Sequence, residues 1–267
     1  MISKLAVTYI DILGFREKIS STPLPDLASK YEKVIKNVRL LNSPFRTIVD
    51  SNPSLFSNLE KGQDWCIQKI FSDSIILFAL DESEESFLKL AVYSWRITQV
   101  LIAEGMLPRG AISFGEIYIN TSSDIFLGSA LTEAYELEQK QNWIGISLTS
   151  TAYHHYKKVI ETVASPSSGK PSFLTHYPVP MKPNNHPVDH VVINWRWNLI
   201  VEKGIRSLLP SSKDISVKAK TDNTINYLKH IVQSGSLYPT DSSKTPVELR
   251  TFYIGDSEPP FSHGDDL

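Results

Sequence analysis

The first strongly apolar run, Leu5 to Ile12, reads LAVTYIDI and carries one carboxylate, Asp11. Residues 4–14, short and rich in Val, Ile and Tyr, are predicted to form a buried strand. Pro23 and Pro25 punctuate, and Asp26 is placed to cap a helix in which Leu27, Tyr31, Val34, Ile35 and Val38 recur at helical spacing. Residues 42–63, rich in Ser, Asn and Pro, read as a loop with a helical turn. Cys66–Phe71 and Ser74–Leu80 are β-rich runs separated by Ser72-Asp73, a hairpin signal. Glu84–Ala103 is a long amphipathic helix with Phe87, Leu90, Ala91, Trp95, Ile97 and Leu101 inward. Pro108 ends that segment, and Arg109–Asn120 reads as a strand pair bent at Gly115. Leu131–Gln141 is predicted helical and Trp143–Leu148 a short strand. The order β, α, β, β, α, β, α, β predicts an α+β sheet with helices on one face.

The remaining chain patterns differently. Ser165–Pro187 reads as a loop or linker, His190–Trp197 as a strand, and Leu199–Leu209 and Val217–Val232 as helices. These elements are too few for an independent core. The expectation is one domain, residues 1–160, with a C-terminal extension, residues 161–267, packed on it.

With 267 residues, 41% hydrophobic and 21% charged, the chain has an ordinary globular composition. A net charge of −2 gives no bulk reason to expect nucleic acid or an anionic membrane as a partner, so an anionic ligand must be held locally. The single cysteine, Cys66, excludes an internal disulfide and a cysteine-cluster zinc site. No apolar run approaches the roughly 20 residues of a membrane span, and the N-terminus enters a strand without a signal-like apolar core. A cytoplasmic protein is expected.

A buried carboxylate needs a partner, so Asp11 either pairs with a cation at a strand end or holds a metal. Asp73 sits at the tip of an apolar hairpin in KIFSDSIILF. Two facing carboxylates cannot both stay ionised unless a cation lies between them, and Mg2+ or Mn2+ suits an all-oxygen site. Arg109 opens LPRGAISFGEIYI, and FLGSALTEAYELE turns at Gly128 into a helix bearing Glu133, Glu136 and Glu138. These features point to metal-assisted phosphate chemistry. Neither a Walker A loop nor G-x-G-x-x-G is present. Adjacent His154 and His155 point about 100° apart on a helix and make a poor metal pair. His176, His186 and His190 read as solvated loop residues, Trp195 and Trp197 as packing residues on one strand face, and the terminal HGDDL as a frayed tail.

YIDILGF, KIFSDSIIL, RGAISFG and FLGSALTEAYELE occur in the order and spacing of the class III nucleotidyl cyclase catalytic domain, which residues 4–155 resemble. The resemblance implies a ferredoxin-like, palm-type sheet with helices packed on it. It implies two metal ions per site, Mn2+ or Mg2+, held by Asp11, Asp73 and the Ile12 carbonyl. The backbone of Leu13, Gly14 and Phe15 would hold the triphosphate, and Arg109 would contact phosphate. Lys69, four residues before Asp73, falls where adenylate cyclases keep a base-reading lysine; the other reading is an exposed strand lysine.

The departures are specific. Where the family carries an asparagine and then an arginine on the helix after Gly128, this chain has Thr132 and Glu136, and Arg16 or Arg109 would have to supply the lost charge. Ile125 stands at the position of the base-reading acid, with Asp124 one residue earlier, so the purine-reading set reads as incomplete. The chain is most similar to the pyrimidine cyclases of the bacterial Pycsar anti-phage system. That resemblance implies a homodimer converting UTP, with CTP as the alternative, to the 3′,5′-cyclic mononucleotide and pyrophosphate. A separate effector would read the product. The other readings are an adenylate cyclase and a degenerate cyclase fold that only binds nucleotide.

Overall fold

The computed structural model describes residues 2–39, 65–164, 172–183, 185, 188–195 and 215–233. The stretch 42–63, the helix expected at 199–209, His186, Trp197 and the C-terminal tail lie outside the described residues. Strand β1 (Ile2–Leu13) is buried on both faces, with Leu5 and Val7 on one and Ala6, Ile10 and Ile12 on the other. A short helix that the periodicity does not announce, α1 (Phe15–Ser21), follows, and α2 (Leu24–Arg39) starts at Leu24. Asp26 therefore stands in the first turn of α2 and does not cap it. Proline is tolerated in that turn because its missing N–H has no helical partner there in any case.

β2 (Ile67–Phe71) and β3 (Ser74–Phe78) form the expected hairpin around Ser72-Asp73, with Ser72 at a φ of 55°. Helix α3 (Glu84–Ala103) is capped by Ser83, whose hydroxyl accepts from the Ser86 N–H at 3.1 Å. β4 (Leu107–Asn120) completes an antiparallel β2-β3-β1-β4 order, the ferredoxin-like βαββαβ arrangement. The fold is α+β, a mixed sheet with helices packed on it.

Two local expectations are corrected. β4 is one unbroken strand of 14 residues, not a bent pair, and Gly115 stays in register opposite Leu5. A Cβ at Gly115 would lie 3.0 Å from the Ser129 hydroxyl and 3.4 Å from the Ala130 nitrogen, so the glycine admits a close helix instead of a bend. That helix is α4 (Ser129–Lys140), which follows β5 (Ile125–Leu127) and packs Ala130 onto Leu5 and Val7. Helices thus cover both faces, because α3 lies on the other: Thr8 shares a hydrogen bond with Ser94 of α3 at 2.9 Å, while Tyr9 meets Tyr135 of α4 edge to face at 5.4 Å.

β6 (Gly145–Leu148) runs parallel to β4, and α5 (Ser150–His155) and α6 (Lys157–Ala164) follow. β7 (Leu174–Val179) and β8 (Val188–Ile193) then extend the same sheet in the order β6-β8-β7. β7 lies inside the stretch expected to be a loop. Its Pro178 is accommodated because β7 is an edge strand, where a missing N–H costs no ladder bond on the open side. His176 and His190 are accordingly strand residues, and the His190 Nδ1 is 2.8 Å from the Leu148 carbonyl oxygen. Helix α7 (Ile215–Gln233) sends Tyr227, Leu228 and Ile231 into the main core beside Trp143 and Trp195. The Trp195 indole N–H donates to the Ile144 carbonyl at 3.2 Å, so this ring is a packing residue. Among the described residues no helix is long and apolar enough to cross a membrane.

Candidate active site

Asp11 lies near the end of β1 on the face that α4 covers, opposite Ser74 of β3 and Arg109 of β4 in register. Asp73 occupies the β2–β3 turn, and its backbone carbonyl accepts the Ile12 N–H at 3.1 Å, which ties the hairpin tip to the end of β1. The two carboxylates singled out by sequence are therefore neighbours. Burial, then the Glu138 and Asp73 charges, push the Asp11 carboxyl up to about 6, against the opposing pull of Arg109 and Lys182. Tyr31 of α2 reaches the same place. Its hydroxyl is buried without a hydrogen-bond partner, and burial followed by the charges of Asp73 and Asp11 raises its pKa.

This donor set fits a divalent cation. It is all oxygen, it carries excess negative charge, and it includes an unsatisfied hydroxyl. Among the described residues no group of three or more His, Cys, Asp or Glu is arranged to hold a metal. Two carboxylates and a backbone carbonyl suit Mg2+ or Mn2+ arriving with phosphate oxygens, since these ions are commonly held by one or two carboxylates plus substrate. Asp11, Asp73 and Ile12 would be the protein ligands.

Beside the carboxylates, Gly14 adopts φ 70° and ψ 20°, the left-handed conformation glycine reaches without strain, and starts α1. The N–H groups of a first helical turn have no intrahelical partner, so the Leu13–Phe15 turn can offer them to an anion. Phe15 is turned inward and packs on the Tyr31 ring at 5.7 Å.

Arg109 is paired within the protein. Its Nε donates to Glu138 at 2.6 Å, a second guanidinium nitrogen pairs with the same carboxylate, and Nη1 donates to the Gln141 carbonyl at 3.2 Å. Arg109 is 4% exposed and Glu138 fully buried. The guanidinium locks the C-terminal end of α4 onto β4, which engages three of its five N–H groups. Gln141 completes the lock by donating to the Gly110 carbonyl at 2.9 Å and accepting from the Trp143 indole at 2.7 Å. Sequence reasoning gave Glu138 no partner. The available signal was its spacing: Ala130, Ala134 and Glu138 share one buried stripe of α4.

Lys69 and Asp124 form an ion pair, and the Lys69 Nζ lies 5.3 Å from the centroid of the Phe126 ring. Both side chains are largely exposed. Asp124 is the residue that meets Lys69, and it takes a φ of 53° in the turn before β5. Asp73 is four positions after Lys69, with Ile70 and Phe71 of β2 and Ser72 of the turn between them, roughly 13 Å at full extension. Glu136 faces outward and pairs with Lys140 at 3.6 Å, Arg16 is exposed on α1, and the Thr132 hydroxyl donates to the Gly128 carbonyl at 3.3 Å. His155 stacks on Phe114 at 3.6 Å, away from any metal-ligand group.

No protein-family model matches the chain, and no curated protein matches it. Among solved structures, the catalytic core of a rhodopsin-guanylyl cyclase with converted specificity, in complex with ATPαS, shares 10% identity over 72% of this chain and 96% of that one, with a TM-score of 0.47. A class III adenylyl cyclase-like ATP-binding protein from Pseudomonas aeruginosa shares 13% identity over 62% of this chain and 37% of that one, with a TM-score of 0.37. At these values neither likeness bears on function.

Proposed function

We propose that the chain is a nucleotidyl cyclase that converts a nucleoside triphosphate to its 3′,5′-cyclic monophosphate and pyrophosphate. One observation carries this reading: Asp11 and Asp73 sit together at the end of a ferredoxin-like sheet, with Asp11 raised to about 6 and a left-handed glycine turn beside them. Asp11 and Asp73 would hold the cations, and the Leu13–Phe15 turn would receive the phosphates on its N–H groups. A divalent cation held there would lower the pKa of the ribose 3′-hydroxyl and offset charge on the phosphates. The 3′-oxygen forms its bond to the α-phosphorus as the bond to pyrophosphate breaks, and the hydroxyl proton leaves to solvent.

The ordered motifs further support a Pycsar-type role: a cytoplasmic homodimer in antiviral defence whose cyclic nucleotide is read by a separate effector. Phe71, Leu127 and Tyr135 are exposed, which supports a surface that a second copy covers. On the base, the Lys69–Asp124 pair changes the expectation. A donor and an acceptor together suit a ring acceptor beside an exocyclic amino group. Cytosine presents that pattern and uracil does not, so the pair supports CTP over UTP. Adenine presents the same pattern, and ATP is the second reading. Incubation with each of the four labelled NTPs and Mn2+ tests all of this. A cyclic product from CTP is expected, a dominant ATP product installs the adenylate reading, and no cyclic product from any of them removes the enzyme.

A further inference from the structure

Tyr31 stands on the inner stripe of α2 with Leu27 and Val34, which enter the main core. Its ring meets Phe15 at 73°, and Phe15 is the buried first residue of α1, directly after the Gly14 turn. The hydroxyl is shut off from water and has no hydrogen-bond partner. Three other buried tyrosines show the usual arrangement. Tyr156, Tyr227 and Tyr177 donate to the carbonyls of Glu82, Ile193 and Asn223 at 3.2, 3.3 and 3.4 Å. A buried donor left unmade is costly, so an acceptor that arrives later is the economical explanation.

The matching acceptor is at the hairpin tip. Among the described residues the half-buried Asp73 carboxylate has no hydrogen-bond or ion-pair partner. Its backbone is held by the bond from the Ile12 N–H, which leaves rotation of the side chain as its freedom. Burial, then the charges of Asp73 and Asp11, raises the pKa of Tyr31, so the phenol keeps its proton and is a donor toward these carboxylates. We propose, on the cyclase reading above, that Tyr31 is a positioning residue of the cation site: its O–H donates to the Asp73 oxygen left free by the cation, and this bond closes as the cation binds. Before then the two carboxylates repel each other and Asp73 is served by water. A cation draws them together and strips that water, and a fixed donor replaces it. Carboxylates that bind metals are commonly oriented in this way by a hydrogen bond from behind. A neutral hydroxyl suits the place, because an ammonium there would compete with the metal for Asp73.

The test uses the full chain and Tyr31→Phe, which keeps the ring against Phe15 and removes only the hydroxyl. Mn2+ alone, titrated by electron paramagnetic resonance, reads the cation site without any cyclase chemistry. Tyr31→Phe is expected to weaken Mn2+ by about 10- to 100-fold, the scale for losing a group that orients a metal ligand. The metal-free melting temperature is expected to stay level or rise, because an unpaired donor has gone. Where NTP turnover is present, excess Mn2+ is expected to restore kcat to within about threefold, since the hydroxyl acts through Asp73 and not on substrate. Unaltered Mn2+ affinity in Tyr31→Phe, or no Mn2+ binding by the unaltered protein, overturns the Tyr31 role. A metal-free melting temperature lowered by more than about 4 °C also overturns it, because the hydroxyl would then be paired without the cation. So does a turnover deficit that excess Mn2+ leaves in place. Mn2+ affinity that depends on Tyr31 in a protein that cyclises no NTP upholds Tyr31 and overturns the cyclase reading alone.

Discussion

Asp11 and Arg109 face each other across β1 and β4, yet the guanidinium donates to Glu138 and to the Gln141 carbonyl. The consequence is a carboxylate held next to a cation that does not neutralise it, with its pKa near 6. Such a group is costly to the folded protein and useful to a metal.

The cost is measurable. The folded-state pKa of Asp11 is raised from 3.8 to about 6, so its contribution to stability is complete below pH 4 and is lost as pH rises through 6. Asp11→Asn removes the charge while keeping the shape. It is expected to stabilise the protein at pH 8 by on the order of 1–3 kcal/mol, allowing for partial solvent screening, and to lose that advantage by about pH 4. Turnover should fall below about a tenth of the unaltered rate in Asp11→Asn and in Asp73→Asn. Thermal melts across this pH range check the first claim. An Asp11→Asn protein less stable than the unaltered one at pH 8 would contradict it.

Metal binding should share this pH dependence, because proton and cation compete for one carboxylate. Mn2+ affinity measured by electron paramagnetic resonance is expected to be flat above pH 7 and to drop about tenfold per unit below 6. A flat profile down to pH 5 would remove Asp11 from the ligand set.

The Arg109–Glu138 lock should behave as a buried ion pair. Removing one partner strands a buried charge and costs about 3–5 kcal/mol, whereas replacing both with apolar residues of similar size costs far less. In urea unfolding, Glu138→Leu alone is expected to be more destabilising than Arg109→Met with Glu138→Leu. Equal or larger loss in the double variant would assign Arg109 a role outside the lock.

Ending the chain after Ala164 is a related test of how the last third is used. It removes β8 from the edge of β6, and Trp195 and Tyr227 from around Trp143. Loss of several large buried rings exceeds the usual stability of a domain, so the shortened chain is expected to bind anilinonaphthalene sulfonate and to lack a cooperative melt. A cooperative melt at the original temperature would mean that residues 2–164 fold alone.

Up to residue 148 the strands and helices other than α1 and β5 were legible, because each carries its own periodicity and sits near its partners in sequence. Asp11 was legible as a charge in an apolar run. What was not legible depends on partners far along the chain. Pro178 and the histidines disguised β7, since nothing local says that a strand will lie at a sheet edge. Tyr31 looked like one more apolar position of α2, and its proximity to the carboxylates exists only after α2 folds back. Lys182 sits in a proline-rich stretch whose place beside α4 is set by backbone hydrogen bonds. The motif spacing put Ile125 at the base-reading position with Asp124 one residue earlier, and it is Asp124 that pairs with Lys69.

That shift decides the last prediction. The Lys69–Asp124 pair is exposed, so it adds at most about 1 kcal/mol to stability, and substitutions there should leave the melting temperature nearly unchanged. Its effect should fall on substrate choice instead. Asp124 accepts from an exocyclic amino group, and a base without one leaves the carboxylate facing a carbonyl oxygen. Losing a matched polar contact at so exposed a pair costs about 0.5–1.5 kcal/mol, or roughly 2- to 13-fold in kcat/KM. Asp124→Asn offers a donor as well as an acceptor, so it is expected to lower kcat/KM for CTP and ATP by that range while leaving or improving UTP. Lys69→Ala should lower all three, because each base presents a ring or carbonyl acceptor to the ammonium. The measurement is a competition assay with mixed NTPs, reading the ratio of cyclic products. If UTP is the best substrate of the unaltered protein, or if Asp124→Asn lowers every NTP by one common factor, the pair does not read the base.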